Sequence, residues 1–287
     1  MRKVFCWLVY TLLIFSGGFG KARAAGGSAD GGSDGIPFQV VNGFLIVFQG
    51  RIGSYRGLNF VLDTGTTHST VSRRLAQVMR IPLHSSQAFN FDRFISTESG
   101  VFPDIQFGPV HVSDVSMLVA DPARLSDFAT GVDAIIGSDL LSLSNFSIDY
   151  GAQKLFFAPV ETGASSAVPH PTVMIIELRV QDRPVDLLVD TGLAGVVLFE
   201  DRLRNRIPQL RTEGLVDGIV IGRRVRAKQA VLDDVRLGAR SEALKVFLLK
   251  GPQGDILPGV DGYWGTASVK ARRINFDFGR NSLSWQE

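Results

Sequence analysis

The segment LNFVLDTGTTHSTVS, Leu58 to Ser72, runs a largely apolar stretch into Asp63 and follows it at once with Thr, Gly and a string of hydroxyls. A charged side chain at the end of a buried strand costs several kcal/mol unless something holds it and uses it. The segment VDLLVDTGLAGVVLFEDRL repeats the arrangement 127 residues later, with Asp190 in the place of Asp63. One such aspartate reads as a turn cap. Two are the residue type for general acid–base work if the fold brings them together, because close carboxyls share one proton and then supply a base and an acid at once.

The elements around the two aspartates repeat as well. Each half opens with an extended run and a polar turn, GFLIVFQGRIGSYRG and VMIIELRVQDRP, the pattern of a hairpin feeding a buried strand. After each DTG comes a short helical pattern ending at Ile-Pro. The first, SRRLAQVMRIP, has Ser72 as N-cap, Leu75, Val78 and Met79 on one face and Pro82 as its stop; the second, EDRLRNRIP, stops at Pro208. Glycine-broken runs of Val, Leu and Ile follow, read as several short strands in each half. The ends agree best: GVDAIIGSDLL and FSIDYGAQKLFF answer to GVDGYWGTASV and INFDFGRNSLSW, and the spacing Asp133 to Asp149 equals that of Asp261 to Asp277, 16 residues. Two tandem copies of one mostly β unit of about 110 residues account for this.

On these motifs the chain resembles the aspartic protease family, of the retropepsin and pepsin kind, from about Val41 to Trp285. The resemblance implies an all-β fold with a few short helices: two tandem retropepsin-like lobes with the active site between them, a retroviral-type dimer joined end to end. It implies Asp63 and Asp190 as the catalytic pair, activating a water for attack on a peptide carbonyl, with no cofactor and no metal. It also assigns Gly65 and Gly192 to the sharp turns that bring amides to the carboxylates. Thr64 and Thr191 send hydroxyls to the backbone of the opposite loop, and Thr66 donates to the outer oxygen of its own aspartate. AIIG, Ala134 to Gly137, and GYWG, Gly262 to Gly265, are the elements packed behind the catalytic loops.

The second half departs from the pattern in two places. Leu193 stands where a small or hydroxyl residue is usual, so Asp190 lacks that donor and the pair becomes asymmetric. Tyr263 and Trp264 are bulkier than the usual aliphatic pair. A cover over the cleft is expected from SSQAFNFDRFISTESG, with Phe89, Phe91 and Phe94 as candidate substrate contacts, although core phenylalanines fit the same positions. In the second half Leu215 to Ile221 is the corresponding, ambiguous candidate. Asp133, Asp149, Asp261 and Asp277 are read as turn and strand-end residues.

The N-terminus adds a leader rather than chemistry. MRK, the apolar VFCWLVYTLLIF and an Ala-x-Ala ending at Ala24 have the form of a secretory signal over residues 1–24, too short for a comfortable membrane span. The expected organisation is a flexible linker at 25–36, a first lobe at 37–158, a linker at 159–171 and a second lobe at 172–287. The single cysteine, Cys6, lies in the leader, so the mature chain has no thiol nucleophile and no disulfide. Removing Arg2, Lys3, Lys21 and Arg23 leaves 26 basic residues against 28 acidic ones, and the apparent basic balance disappears.

Other chemistries find little support. GGSDG around Ser33 matches a nucleophile elbow but has neither the strand nor the helix it needs. His68, His84, His111 and His170 lack metal-ligand spacing. The basic runs RLRNRIPQLR and GRRVRAK read as a solvated face, without aromatic interleaving for nucleic acid. The expectation is thus an exported, periplasmic or secreted, monomeric endopeptidase acting on polypeptides. A bilobal peptide-binding protein of the cell envelope that has lost turnover is the alternative.

Overall fold

In the computed structural model the described residues are 35–90, 93–120, 131–158, 173–207, 211–220, 223–237, 240–251, 259–269 and 271–286, with two-residue strands at Phe5–Cys6, Leu12–Leu13 and Arg23–Ala24. The expected leader and both linkers otherwise fall almost wholly outside them, and no described helix is long and apolar enough to cross a membrane.

The chain is mostly β and folds as two tandem lobes. In the first, β1 (Ile36–Val41), β2 (Leu45–Ile52) and β3 (Tyr55–Leu62) form antiparallel hairpins, and β3 delivers Asp63. Then come β4 (Thr70–Ser72), α1 (Arg73–Val78), the hairpin β5 (His84–Asn90) and β6 (Arg93–Phe102), β7 (Ile105–Phe107), β8 (Val110–Ser113) and β9 (Val115–Ala120). The lobe closes with β10 (Ala134–Ile136), α2 (Ser138–Leu141), β11 (Phe146–Asp149) and β12 (Lys154–Phe157).

The second lobe opens with β13 (Ile175–Val180) and β14 (Arg183–Asp190), joined by Gln181 and Asp182, both at positive φ as a tight hairpin turn requires. It continues through β15 (Val196–Phe199) and α3 (Glu200–Leu203). Three long strands follow, β16 (Arg211–Val220), β17 (Arg223–Leu237) and β18 (Arg240–Leu249), where several short ones were expected. The alternation of VRAKQAVL continues without a glycine, and the ladder is interrupted only by register shifts at Thr212/Gly214 and Leu232/Val235. The lobe ends in β19 (Gly262–Gly265), β20 (Arg273–Asp277) and β21 (Ser282–Gln286).

The same knot supports the aspartate in both lobes. β10 lies parallel to β3 and antiparallel to β4, and β19 lies parallel to β14 and antiparallel to β15. The strands that carry Asp63 and Asp190 are buried on both faces, which explains why FVL and LLV read as unbroken apolar runs. Phe60 and Leu62, like Leu187 and Val189, enter one large core, whereas Val61 and Leu188 point into smaller clusters, one per lobe.

The lobes are joined by their closing hairpins. β11 pairs antiparallel with β20 in the register Phe146↔Phe276 and Ile148↔Ile274, and the rings of Phe146 and Phe276 stack at 4.5 Å. In α1 the Ser72 hydroxyl accepts from the Leu75 amide, as its N-cap role requires. The buried face is Leu75 and Ala76; Val78, expected on it, is 56% exposed.

Candidate active site

Each aspartate is placed by the turn that ends its strand. The Gly65 amide donates to Asp63 Oδ1 at 2.9 Å and the Gly192 amide to Asp190 Oδ1 at 2.7 Å. Proximity requires glycine at position 65 and leaves little room for a side chain at position 192. A Cβ on Gly65 would lie 2.3 Å from Asp190 Cγ, and one on Gly192 would lie 3.0 Å from Asp63 Oδ2. The loops are then tied to each other. Thr64 Oγ1 donates to Val189 O at 2.8 Å and accepts from the Thr191 amide at 3.1 Å; Thr191 Oγ1 donates to Leu62 O at 2.8 Å and accepts from the Thr64 amide at 3.0 Å. Four hydrogen bonds between fully buried groups fix the separation of the two loops with near twofold symmetry.

Both carboxyls are fully buried and lie within hydrogen-bonding reach of one another. Burial pushes Asp63 up to about 7, against the opposing pull of the Gly65 amide, the Asp190 carboxyl and the Thr66 backbone. Burial, then the charge of Asp63, holds Asp190 well above the ordinary carboxylate range, with the Gly192 amide opposing. Asp63 Oδ2 and Asp190 Oδ2 are each buried and accept no hydrogen bond among the described residues. Two ionised groups in that position are unfavourable, and a shared proton supplies a donor where there is none.

The profile of the aspartyl protease family matches the chain twice, over residues 48–140 and 176–261, one aspartate in each segment. The chain belongs to the aspartyl protease family. No curated protein matches it.

This aspartyl protease departs from the sequence expectation at Thr66. Its hydroxyl donates to His68 O at 3.2 Å rather than to the Asp63 carboxyl, because the loop 66–68 curls back on itself. Only the Thr66 backbone acts on Asp63. Each carboxyl accepts a hydrogen bond from one glycine amide and neither accepts one from the hydroxyl position after its DTG turn, so the missing hydroxyl at Leu193 creates no asymmetry between them. Leu193, fully buried, uses its amide on the Asp190 main-chain oxygen at 3.4 Å.

The expected cover splits into different roles. Phe89 is 1% exposed and meets Phe94 edge-on across the β5–β6 hairpin at 5.3 Å, so it is core; Phe94 is 51% exposed; Phe91 lies outside the described residues. In the second lobe the β16–β17 hairpin occupies the corresponding segment, with Leu215 64% exposed.

Asp139 escaped the reading of the sequence, and so did the partners of Asp133 and Asp261, which stand at strand ends as expected. Asp139, buried in α2, accepts from the Ser69 amide at 2.9 Å and the Ser69 hydroxyl at 2.7 Å, while Ser69 Oγ accepts from the Gly137 amide at 2.9 Å. Burial raises Asp139 above the usual carboxylate range, opposed chiefly by the Ser69 donors. Asp133 accepts from the Asn59 amide and pairs with Arg74, both at 3.0 Å. Asp261 accepts from the Asp186 amide at 3.0 Å and takes both terminal nitrogens of Arg206 at 2.8 Å. The repeated GVD was the available signal for the last two; each carboxylate ties the start of its strand to the catalytic strand beside it.

Proposed function

We propose that this aspartyl protease is an endopeptidase in which Asp63 and Asp190 jointly activate a water. What carries the reading is a pair of fully buried carboxyls in mutual contact, each with an oxygen that has no donor. With one proton on the pair, the ionised carboxyl removes a proton from the water as its oxygen attacks the peptide carbonyl carbon. The protonated carboxyl gives its proton to the carbonyl oxygen. The resulting diol collapses by returning a hydroxyl proton to the pair, while the leaving nitrogen takes a proton and departs as the amine. The substrate is an extended polypeptide lying between the lobes under the β5–β6 hairpin, paired through its backbone and selected by its side chains. No cofactor takes part, and one chain suffices because both half-sites are in it.

The leader-like N-terminus supports export to the periplasm or beyond, and mass measurement of the form that accumulates outside the cytoplasm tests this. The alternative is a bilobal peptide-binding protein of the cell envelope without turnover; Leu193 gives it no support, since Thr66 sends no hydroxyl to Asp63 either. Incubation of the purified mature chain with a peptide library from about pH 3 to 8, beside Asp63→Asn and Asp190→Asn, decides between them. Cuts that vanish in both variants are expected. A folded protein that binds peptides and cuts none at any pH overturns the endopeptidase reading in favour of the second.

A further inference from the structure

The short strands of the leader each lie against the edge of a sheet. Phe5 and Cys6 run parallel to β16, opposite Gly218 and Ile219. Leu12 and Leu13 run antiparallel to β5, opposite Asn90 and Phe89, and Arg23 and Ala24 run antiparallel to β8, opposite Ser113 and Val112. Among the described residues β16 otherwise pairs only with β17, and β5 only with β6, each its own hairpin partner. Without the leader both strands are open edges, with a row of amides and carbonyls ready for a further strand.

These two hairpins stand beside the catalytic pair, one in each lobe. Ala88, next to Phe89 in β5, belongs to the cluster of Val61 and Ile135, and Ile95 of β6 packs against that cluster together with Ala194 of the DTG loop that carries Asp190. Leu193 of the same loop belongs to the other cluster, which includes Ala227 of β17 and is packed by Val216 of β16. The leader meets each hairpin one or two residues beyond these contacts, at Phe89 and at Gly218. From Cys6 to Leu12 a fully extended chain reaches at most about 20 Å. The leader therefore passes from the hairpin of one lobe to that of the other by a short path, as an extended peptide held between the lobes has to.

We propose that the leader holds the protease latent: while residues 1–24 stay attached, Phe5–Cys6 and Leu12–Leu13 occupy the strand edges with which an extended substrate pairs. This rests on the endopeptidase reading and assigns that site its regulation. A tethered segment acts at an effective concentration of about 1 mM, so an intrinsic dissociation constant of about 10 μM keeps the edges occupied in about 99% of chains. Release requires water to add across the Ala24–Ala25 bond, freeing the leader with a carboxylate end. Arg23 and Ala24 are themselves paired with β8, and a paired strand is a poorer protease target than an exposed loop. The leader is thus removed before the chain folds, during export, and a chain that folds with its leader on stays inactive. Peptide cleavage is confined in this way to the exported form.

The test compares peptide-library cleavage by the full chain, by residues 25–287, and by the full chain carrying Phe5→Pro with Leu12→Pro, since proline has no amide to give and is excluded from a paired strand. The full chain is expected to be at least about 10²-fold lower in kcat/KM than residues 25–287, and the proline variant to come within about threefold of the shorter chain. Equal rates for the full chain and residues 25–287 overturn the latency and leave the endopeptidase reading intact. A proline variant as slow as the full chain overturns the assignment to these pairings. If residues 25–287 do not fold, the proline variant against the full chain decides in the same way. Cleavage by none of them overturns the endopeptidase reading, and hydrogen exchange then decides the leader's place by itself. In chains carrying Asp63→Asn, so that turnover plays no part, the outward-facing amides at 89–90 and 218–219 are expected to exchange at least about tenfold more slowly with the leader attached than without it. Equal exchange overturns the occupancy of the edges.

Discussion

The two lobes hold one catalytic geometry with different materials. Behind Asp63 the support is polar: Asp139 accepts twice from Ser69, and Ser69 accepts from the Gly137 amide. Behind Asp190 the position of Ser69 is taken by Val196 and that of Asp139 by Ala267, and the loop is held by packing of Leu193, Val197 and Tyr263. The parts that touch the carboxyls do not differ: a glycine amide on each, and threonine hydroxyls crossing between the loops. Constraint is thus greatest where the two loops meet, since any displacement there changes the distance between the carboxyls. Outer support needs only rigidity, which a buried hydrogen-bond network and a packed apolar cluster both supply.

The strongest way to break the comparison is at the shared parts. Asp63→Asn and Asp190→Asn are each expected to lower kcat by at least about 10³-fold, because either removes both the base and the acid of a unit that works through one proton. Gly65→Ala should do the same in the initial rate of peptide cleavage, since its Cβ would meet Asp190 Cγ at 2.3 Å. Substantial activity in one aspartate variant would mean that the lobes are not equivalent partners.

Next in size come the supports themselves. Asp139→Ala leaves the Ser69 amide and hydroxyl without their acceptor, and Leu193→Ala opens a cavity. Each is expected to cost about 2–4 kcal/mol in urea unfolding, whereas Asp139→Asn, which keeps an acceptor for Ser69, costs under about 1 kcal/mol. A much larger loss in one lobe than in the other would show that the two kinds of support are not interchangeable.

The pH dependence follows from the direction of both dyad shifts. Asp63 and Asp190 titrate above their unfolded value of 3.8, so between about pH 4 and 7 the folded state holds more protons than the unfolded one, and stability falls as pH rises through that window. Asp63 gives up its proton at about 7 and its charge then holds the proton on Asp190, so cleavage, which needs one proton on the pair, should rise as pH approaches 7 and persist above it. Asp190→Asn removes the charge repulsion and is expected to melt about 4–8 °C above the parent chain at pH 8, and no higher at pH 3, by calorimetry.

The smallest expected contrast separates the two arginine clamps. Arg206 grips Asp261 with both nitrogens and the carboxylate is 5% exposed, whereas Arg74 makes one contact from a side chain 77% exposed. Arg206→Ala is expected to cost about 2 kcal/mol and Arg74→Ala under about 1 kcal/mol. Equal losses in urea unfolding would remove this difference between the lobes.

Much of this was legible in the chain because it repeats. Two DTG turns at the ends of apolar runs, hairpins ahead of them and equal spacing from Asp133 to Asp149 and from Asp261 to Asp277 are local patterns with local causes, and they determined the two lobes and the strands that end in Asp63 and Asp190. Where a side chain sends its hydrogen bond is a different matter. Thr66 turns to His68 O, Asp139 reaches 70 residues back to Ser69, and Phe89 is core while Phe94, five residues on, is half exposed. The long β16–β18 strands and the β11–β20 pairing that joins the lobes are likewise set by which edges meet in space. The periodicity of a sequence records which faces are buried, and so it reports the strands and the turns. The partners across those faces belong to segments distant in the chain, and only the folded structure decides which oxygen each donor meets.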